Sequence, residues 1–202
     1  MPSFGFIHRR SFLKALDEGK VSQALQKAIC GVSARYMKGL NGNSFKLEDL
    51  WMEQAEEDIM QSFGSTSIAH VQVILLLILH GHVTRSFTRV WMLFSWASRL
   101  AYMLQLNYED DTLPFIEQES RRRLMWSLYV ADKFLAGGIQ EFTLCASQSI
   151  HLQLPCKETL FEKGAQVKTE GILPGTETEH LSNMGCRAYL IRLLDIRHKI
   201  LR

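Results

Sequence analysis

The stretch from Arg85 to Pro155 constrains this chain more than any other, because at its centre are two segments whose apolar residues occupy most of a helical circumference. In the first, Phe87, Val90, Trp91, Phe94, Ala97, Ala101 and Leu104 recur at three- and four-residue intervals, the spacing of one helix face. Leu93, Trp96, Leu100 and Met103 occupy a second face, so that only Arg85, Arg89 and Arg99 keep a narrow polar stripe. A helix apolar on so many sides has to be wrapped by others rather than laid on a surface. In the second segment Leu124, Leu128, Ala131 and Leu135 make one apolar line, and Trp126, Tyr129 and Val130 widen it. Gly137-Gly138 stops this helix.

Asp132 lies on the apolar side of the second helix, four residues after Leu128. An ionised acid in that position needs a donor, because burying it unpaired is strongly unfavourable. Arg99, Arg121, Arg122 and Arg123 are the candidate donors. The expectation is that at least one of them pairs with Asp132 and fixes the angle between the two central helices. Consecutive helical residues point about 100° apart, so the arginine triplet cannot form one phosphate-binding ridge. One arginine is expected to face the core while two cover the surface.

The remaining periodicities predict an all-α, irregular multi-helix bundle. Val21 to Met37 reads as a helix ended by Asn41-Gly42-Asn43, and Lys46 to Phe63 as an amphipathic helix with Glu53, Glu56, Glu57 and Asp58 on a solvated face. Ser65-Thr66-Ser67 caps an apolar helix from Ile68 to His80, which Gly81 is expected to break. Asn107 to Ile116 is an acidic loop with Pro114. Residues 139–156 form an extended segment without a partner strand, a belt across the bundle rather than a sheet. Residues 164–176 read as a mobile connection, and 177–202 as a last helix with acids at its start and bases at its end, as the helix dipole favours.

Composition removes several functional classes. With 23 basic and 21 acidic residues the net charge is +2, too balanced for nucleic-acid binding by bulk electrostatics. The longest apolar run, Val73 to Leu79, falls far short of the roughly 20 residues that span a bilayer, and the N-terminal residues do not resemble a secretory signal, so an intracellular protein is expected. Cys30, Cys145, Cys156 and Cys186 show no two-residue zinc spacing and read as reduced, packed thiols, with Cys145, His151 and Cys156 close in sequence but not a metal set. His70 lies at one end of its helix and His80 and His82 at the other, and the last two are two residues apart, which is not the spacing of one helical face, so no histidine metal site is expected. No phosphate-cradling glycine loop, nucleophile elbow or two-histidine zinc helix is present, and no enzyme is expected.

Six short blocks in fixed order carry a family resemblance: Ala101 to Leu106; Glu119 with Arg121 to Arg123; Trp126 to Tyr129; Asp132-Lys133; Gly137-Gly138 with Glu141 to Cys145; and Ile150 to Cys156. Together they resemble the middle regulatory domain of fungal zinc-cluster transcription factors, over residues 4–165. The resemblance implies a helical domain that controls transcription by RNA polymerase II in the nucleus, through a six-cysteine, two-zinc DNA-binding module. That module is not in these residues, so none of the four cysteines is carried over as a zinc ligand, and no cofactor or DNA contact is assigned to this chain. DNA is a partner only through the absent module. A homodimer, a co-regulator protein and a small-molecule effector are the other partners such domains take, and a membrane is not among them. The rival reading is a small-molecule-sensing or dimerisation scaffold without DNA-binding activity of its own.

Overall fold

The computed structural model describes residues 5–36, 44–175 and 178–201. They fall into two compact units, Ala15–Leu100 and a second that combines Met1–Lys14 with Ala101–Arg202. All regular structure among the described residues is helical, with two isolated β-bridges and no strand, as the periodicities predict.

Helix α1 (Arg9–Asp17) runs from the second unit into the first, whose other helices are α2 (Gln23–Ala34), α3 (Ser44–Gln61), α4 (Ile68–Val83) and most of α5 (Phe87–Met103). Ser22 caps α2 by accepting from Leu25 N, and Ser67 caps α4 by accepting from His70 N, each at 3.3 Å. The predicted stop at Asn41-Gly42-Asn43 lies outside the described residues. Helix α4 buries Val71 and every residue from Val73 to Ile78, each such side chain worth about 1.5–3 kcal/mol of transfer free energy.

Gly81 does not break α4, which runs on to Val83. A Cβ built on Gly81 would lie 2.7 Å from Val90 Cγ2, so this glycine permits close approach of α5 rather than ending a helix. The turn that follows uses Arg85 at φ 59°, a left-handed backbone rare outside glycine. The acidic face of α3 is only partly solvated: Glu53 and Glu57 are exposed, but Asp58 pairs with Lys27 at 2.7 Å and Glu56 with Arg89.

The second unit is organised by α6 (Phe115–Ala136), in which every residue from Arg122 to Lys133 is buried. Gly137, left-handed at φ 57°, ends it as expected. The belt that follows contains two short 3-10 turns, Gln140–Phe142 and Ser147–Ser149, and touches other chain segments through single bridges, Tyr108 with His151 and Cys156 with Met184. A short helix α7 (Glu158–Lys163), too brief to show a period in the sequence, closes the belt.

The predicted last helix is interrupted. It is present as α8 (Thr178–Asn183) and α9 (Cys186–Leu201). The Asn183 carbonyl accepts from Lys157 N at 2.9 Å, and a Cβ on Gly185 would meet the Lys157 backbone at 3.1 Å. Pairing with the belt has replaced helical hydrogen bonds at this point. The connection expected to be mobile is tied down over its described residues. Leu154 N donates to Glu170 O at 2.7 Å, Thr169 N to Gln153 Oε1 at 2.9 Å, and Arg192 pairs with Glu170 at 2.6 Å.

Candidate functional site: the charged spine of α6

A helix as apolar as α6 carries five charged side chains among its buried residues, Glu119, Arg122, Arg123, Asp132 and Lys133. Buried charges persist only when paired and hydrogen-bonded, and their partners define the site. The i, i+3 and i, i+4 spacing brings Arg122 and Arg123 to Glu119 along one side of the first turns. Arg122 Nη1 donates to Glu119 Oε2 at 2.5 Å, and Arg123 Nε to Oε1 at 2.8 Å. The same Oε1 accepts from Cys156 N at 2.9 Å.

Each arginine then reaches a second carboxylate. Arg122 grips Glu109 with two parallel bonds of 3.0 and 2.9 Å, and Glu109 accepts in turn from Gln153 N at 2.8 Å. Arg123 donates to Glu158 at 2.7 Å, to Gly5 O at 3.2 Å and to Cys156 O at 3.0 Å, and its guanidinium lies 3.9 Å from the centre of the Phe161 ring. Arg187 donates to the same Gly5 carbonyl at 2.7 Å. Burial alone lowers the affinity of both α6 guanidinia for their protons; Glu119 with Glu109, and Glu119 with Glu158, outweigh it and raise it. Cys156, desolvated beside Glu119, has its thiol pushed up to about 12.

At the other end of α6, Asp132 is fully buried, as its place on the apolar side predicts. Its partner is not an arginine. Lys133 Nζ donates to Asp132 Oδ2 at 3.0 Å, and the backbone N–H groups of Leu144 and Cys145 donate to the same carboxylate at 2.9 and 3.2 Å. Lys133 also donates to Cys145 O at 2.9 Å. The expected pairing fails for a geometric reason: Arg121, Arg122 and Arg123 precede Asp132 by roughly 14–16 Å along the same helix axis, beyond a side chain's reach. Arg99 is exposed. The arginine triplet also divides differently from expectation, with Arg122 and Arg123 both buried and only Arg121 partly open, donating to Leu104 O at 3.3 Å. Asp132 therefore holds the belt to α6 instead of setting the angle between two helices.

Between these ends, Trp126 Nε1 donates to Gln153 O at 2.7 Å. Thus α6 and the belt run antiparallel and are fastened in reverse order, 119 and 123 to 156, 126 to 153, and 132 and 133 to 144 and 145. On the far side, Tyr129 donates to Asp195 of α9 at 2.8 Å, and Lys199 holds the same carboxylate at 2.7 Å. Burial first, and then the Asp195 charge, push the Tyr129 hydroxyl far above its usual range. Four of the short sequence blocks that carry the family resemblance, and the Glu141 to Cys145 part of a fifth, thus supply the two halves of one fastening.

These blocks match a known family over their whole length. The family model for the fungal specific transcription factor domain matches residues 1–202. This chain belongs to the fungal-specific transcription factor domain family. A Zn(2)-C6 fungal-type transcription factor of Fusarium oxysporum f. sp. lycopersici, FTF1c, is 27% identical over 98% of this chain and 24% of its own length. An uncharacterized transcriptional regulatory protein of Schizosaccharomyces pombe is 27% identical over 96% of the chain and 22% of its own. A second such Schizosaccharomyces pombe protein is 27% identical over 96% of the chain. The chain therefore spans about a quarter of the length of the relatives it matches. No solved structure matches it. For this fungal transcription factor domain the match passes beyond the expected 4–165 and covers the α8–α9 region as well.

Other candidates are dispersed. The His151 ring stacks on Tyr108 at 4.9 Å, and Cys145 and Cys156 are buried against α6. His70 lies between the Ser62 and Ser67 hydroxyls at 2.9 and 2.6 Å, and its burial lowers its affinity for a proton. His80 contacts Asp49 at 3.1 Å. No group of three His, Cys, Asp or Glu side chains among the described residues has metal-binding geometry, and no described helix is long and apolar enough to cross a membrane. Glu119, Glu109, Glu158 and Lys133 were not legible as site residues from composition, but a glutamate three and four residues ahead of two arginines on an apolar helix is a signal for the first of them.

Proposed function

We propose that this domain is a non-enzymatic regulator that controls a zinc-cluster DNA-binding module of its parent protein, acting in the nucleus on transcription by RNA polymerase II. The observation that carries the reading is the family match over residues 1–202 together with relatives described as Zn(2)-C6 fungal-type transcription factors. DNA and zinc belong, in this reading, to that separate module. The domain's contribution is two alternative packings of the belt on α6, biased by a partner or ligand that favours one.

The α6 spine suits such a device, since charged fastenings at both ends are either made or broken and so make each packing discrete, without the gradual slippage an all-apolar contact allows. The test is a fusion of a zinc-cluster module and an activating segment to residues 1–202, read on a reporter gene. The domain is expected to change reporter output, and Glu119→Gln to restore the output of the fusion lacking it. Equal output with and without the domain refutes the reading.

A small-molecule effector is the second reading, favoured by a cleft of about 390 Å³ in the first unit lined by Ser22, Asp58, Ile59, Ser62, His70 and Val73. Its size falls within the range of ligand sites. A binder there raises the melting temperature with concentration; a screen of polar metabolites that leaves it constant removes this reading.

A further inference from the structure

The cleft of about 390 Å³ in the first unit has a lining that is polar and electrically balanced. Ser22 and Ser67, the caps of α2 and α4, stand on it, as do Asp58, Gln61 and Ser62 at the end of α3. His70 holds its corner in one protonation state. The Ser62 hydroxyl donates to the Asp58 and Ile59 carbonyls at 2.9 and 3.1 Å, so toward His70 Nε2, 2.9 Å away, it accepts. Nδ1 is then the acceptor of the ring and takes the Ser67 hydroxyl at 2.6 Å. Both ring nitrogens are satisfied with one proton between them, and burial lowers the affinity of the ring for a second.

Charge then sorts the ligands. An anion suits the first turns of two helices but meets the Asp58 carboxylate in the same wall. A cation finds that carboxylate already paired, through Oδ2, with Lys27 at 2.7 Å. A wholly apolar molecule takes water from Asp58 Oδ1 and the Gln61 carboxamide and returns no hydrogen bond. It also dries the backbone N–H groups of Ala24 and Ala69, which lie in first turns and have no acceptor within their helices. What remains is a neutral molecule that donates and accepts at once, as a hydroxyl does. Ile59 and Val73 supply an aliphatic wall for a C–H face, and no Phe, Tyr or Trp is among the lining residues to stack on a base.

We propose that this cleft binds a neutral cyclic polyol, a molecule of the sugar or inositol class. Its hydroxyls bond Asp58 Oδ1, Gln61 and the first turns of α2 and α4, while its C–H face lies on Ile59 and Val73. This assignment rests on the small-molecule reading of the same cleft and names the chemistry of the ligand.

The test titrates the 202-residue chain with neutral hexoses, pentoses, inositols and disaccharides, each to about 10 mM. Their phosphate esters and amino sugars serve as anionic and cationic counterparts. Binding is read as saturable shifts of the His70 ring signals in nuclear magnetic resonance, alongside the melting temperature. Sugars also stabilise proteins by exclusion from their surface, so each rise is compared with that of Ala69→Leu, which fills the cleft and leaves its hydrogen-bonding groups in place. Gln61→Ala, at an exposed position, removes one partner without filling the space, and it decides the site if the filled variant does not fold. The expected result is saturable binding of at least one neutral polyol, about tenfold or more weaker in Ala69→Leu and about threefold or more weaker in Gln61→Ala. The charged counterparts are expected to bind about tenfold or more less tightly than the neutral molecule. Binding of a charged counterpart in place of every neutral one overturns the polyol assignment and leaves the small-molecule reading standing. Silence of every compound, or binding equal in the parent and both variants, overturns the two together.

Discussion

Glu119→Gln is the most direct test of the α6 spine. The carboxylate is fully buried and serves three donors at once: Arg122, Arg123 and the Cys156 N–H. Glutamine keeps the shape and one acceptor, but it removes the charge and turns an NH₂ donor toward a guanidinium. Removing the sole partner of a buried ion costs ~3–5 kcal/mol. Here both arginines retain another carboxylate, Glu109 and Glu158, so the lower end applies, about 3 kcal/mol. For a chain of this size that corresponds to a drop of roughly 6–12 °C in melting temperature. Far-UV circular dichroism during heating reads it. Glu158→Gln is the internal control: this partner is half exposed, and its loss is expected to cost at most about 1 kcal/mol. The reasoning is refuted if Glu119→Gln melts with the parent, or if the two variants are equally damaging.

Asp132→Asn strands Lys133 in the interior and is expected to cost ~3–5 kcal/mol; adding Lys133→Met recovers most of the loss in a urea titration, because the orphaned cation is then gone. Gly81→Ala drives a methyl into Val90 and is expected to lower stability by about 1–3 kcal/mol, with Val90→Ala in the same chain relieving the clash. In a thiol-labelling time course Cys30 and Cys186, both exposed, react first, whereas Cys156, buried with its thiol pushed up to about 12, reacts only on unfolding. Burial pushes the Asp195 carboxyl up, but hydrogen bonds from Lys199 and Tyr129 outweigh it and hold it below its ordinary value. A depressed carboxylate stabilises the fold above the unfolded value near pH 4 and loses that contribution as pH falls through the folded one. The melting temperature of the parent should therefore fall more steeply below about pH 4 than that of Asp195→Asn, and parallel curves would contradict the assignment.

The helices were legible wherever apolar period and cap agreed, as at Ser67 before α4 and Gly137 after α6. The belt was legible as irregular because Pro155 and the lack of a second strand argued against a sheet. Gly81 misled because a glycine that ends a helix and one that admits a neighbour look the same in one dimension. The break between α8 and α9 misled because its cause, the Lys157 backbone, arrives from far along the chain. The same limit explains Asp132. Its burial follows from its own helix, but two of its three donors are backbone amides of Leu144 and Cys145, which carry no side-chain signal, and the third is its immediate neighbour Lys133.

Arg123 has a bearing on how the polypeptide matures. Its donors are satisfied by carbonyls and carboxylates at positions 5, 119, 156 and 158, and the Gly5 carbonyl is shared with Arg187. Contacts this distant in sequence close slowly, since loop entropy is lost before they form. A ribosome must therefore have released nearly all of the domain before its first residues find their seat, and until then the N-terminal segment waits for a partner still being synthesised.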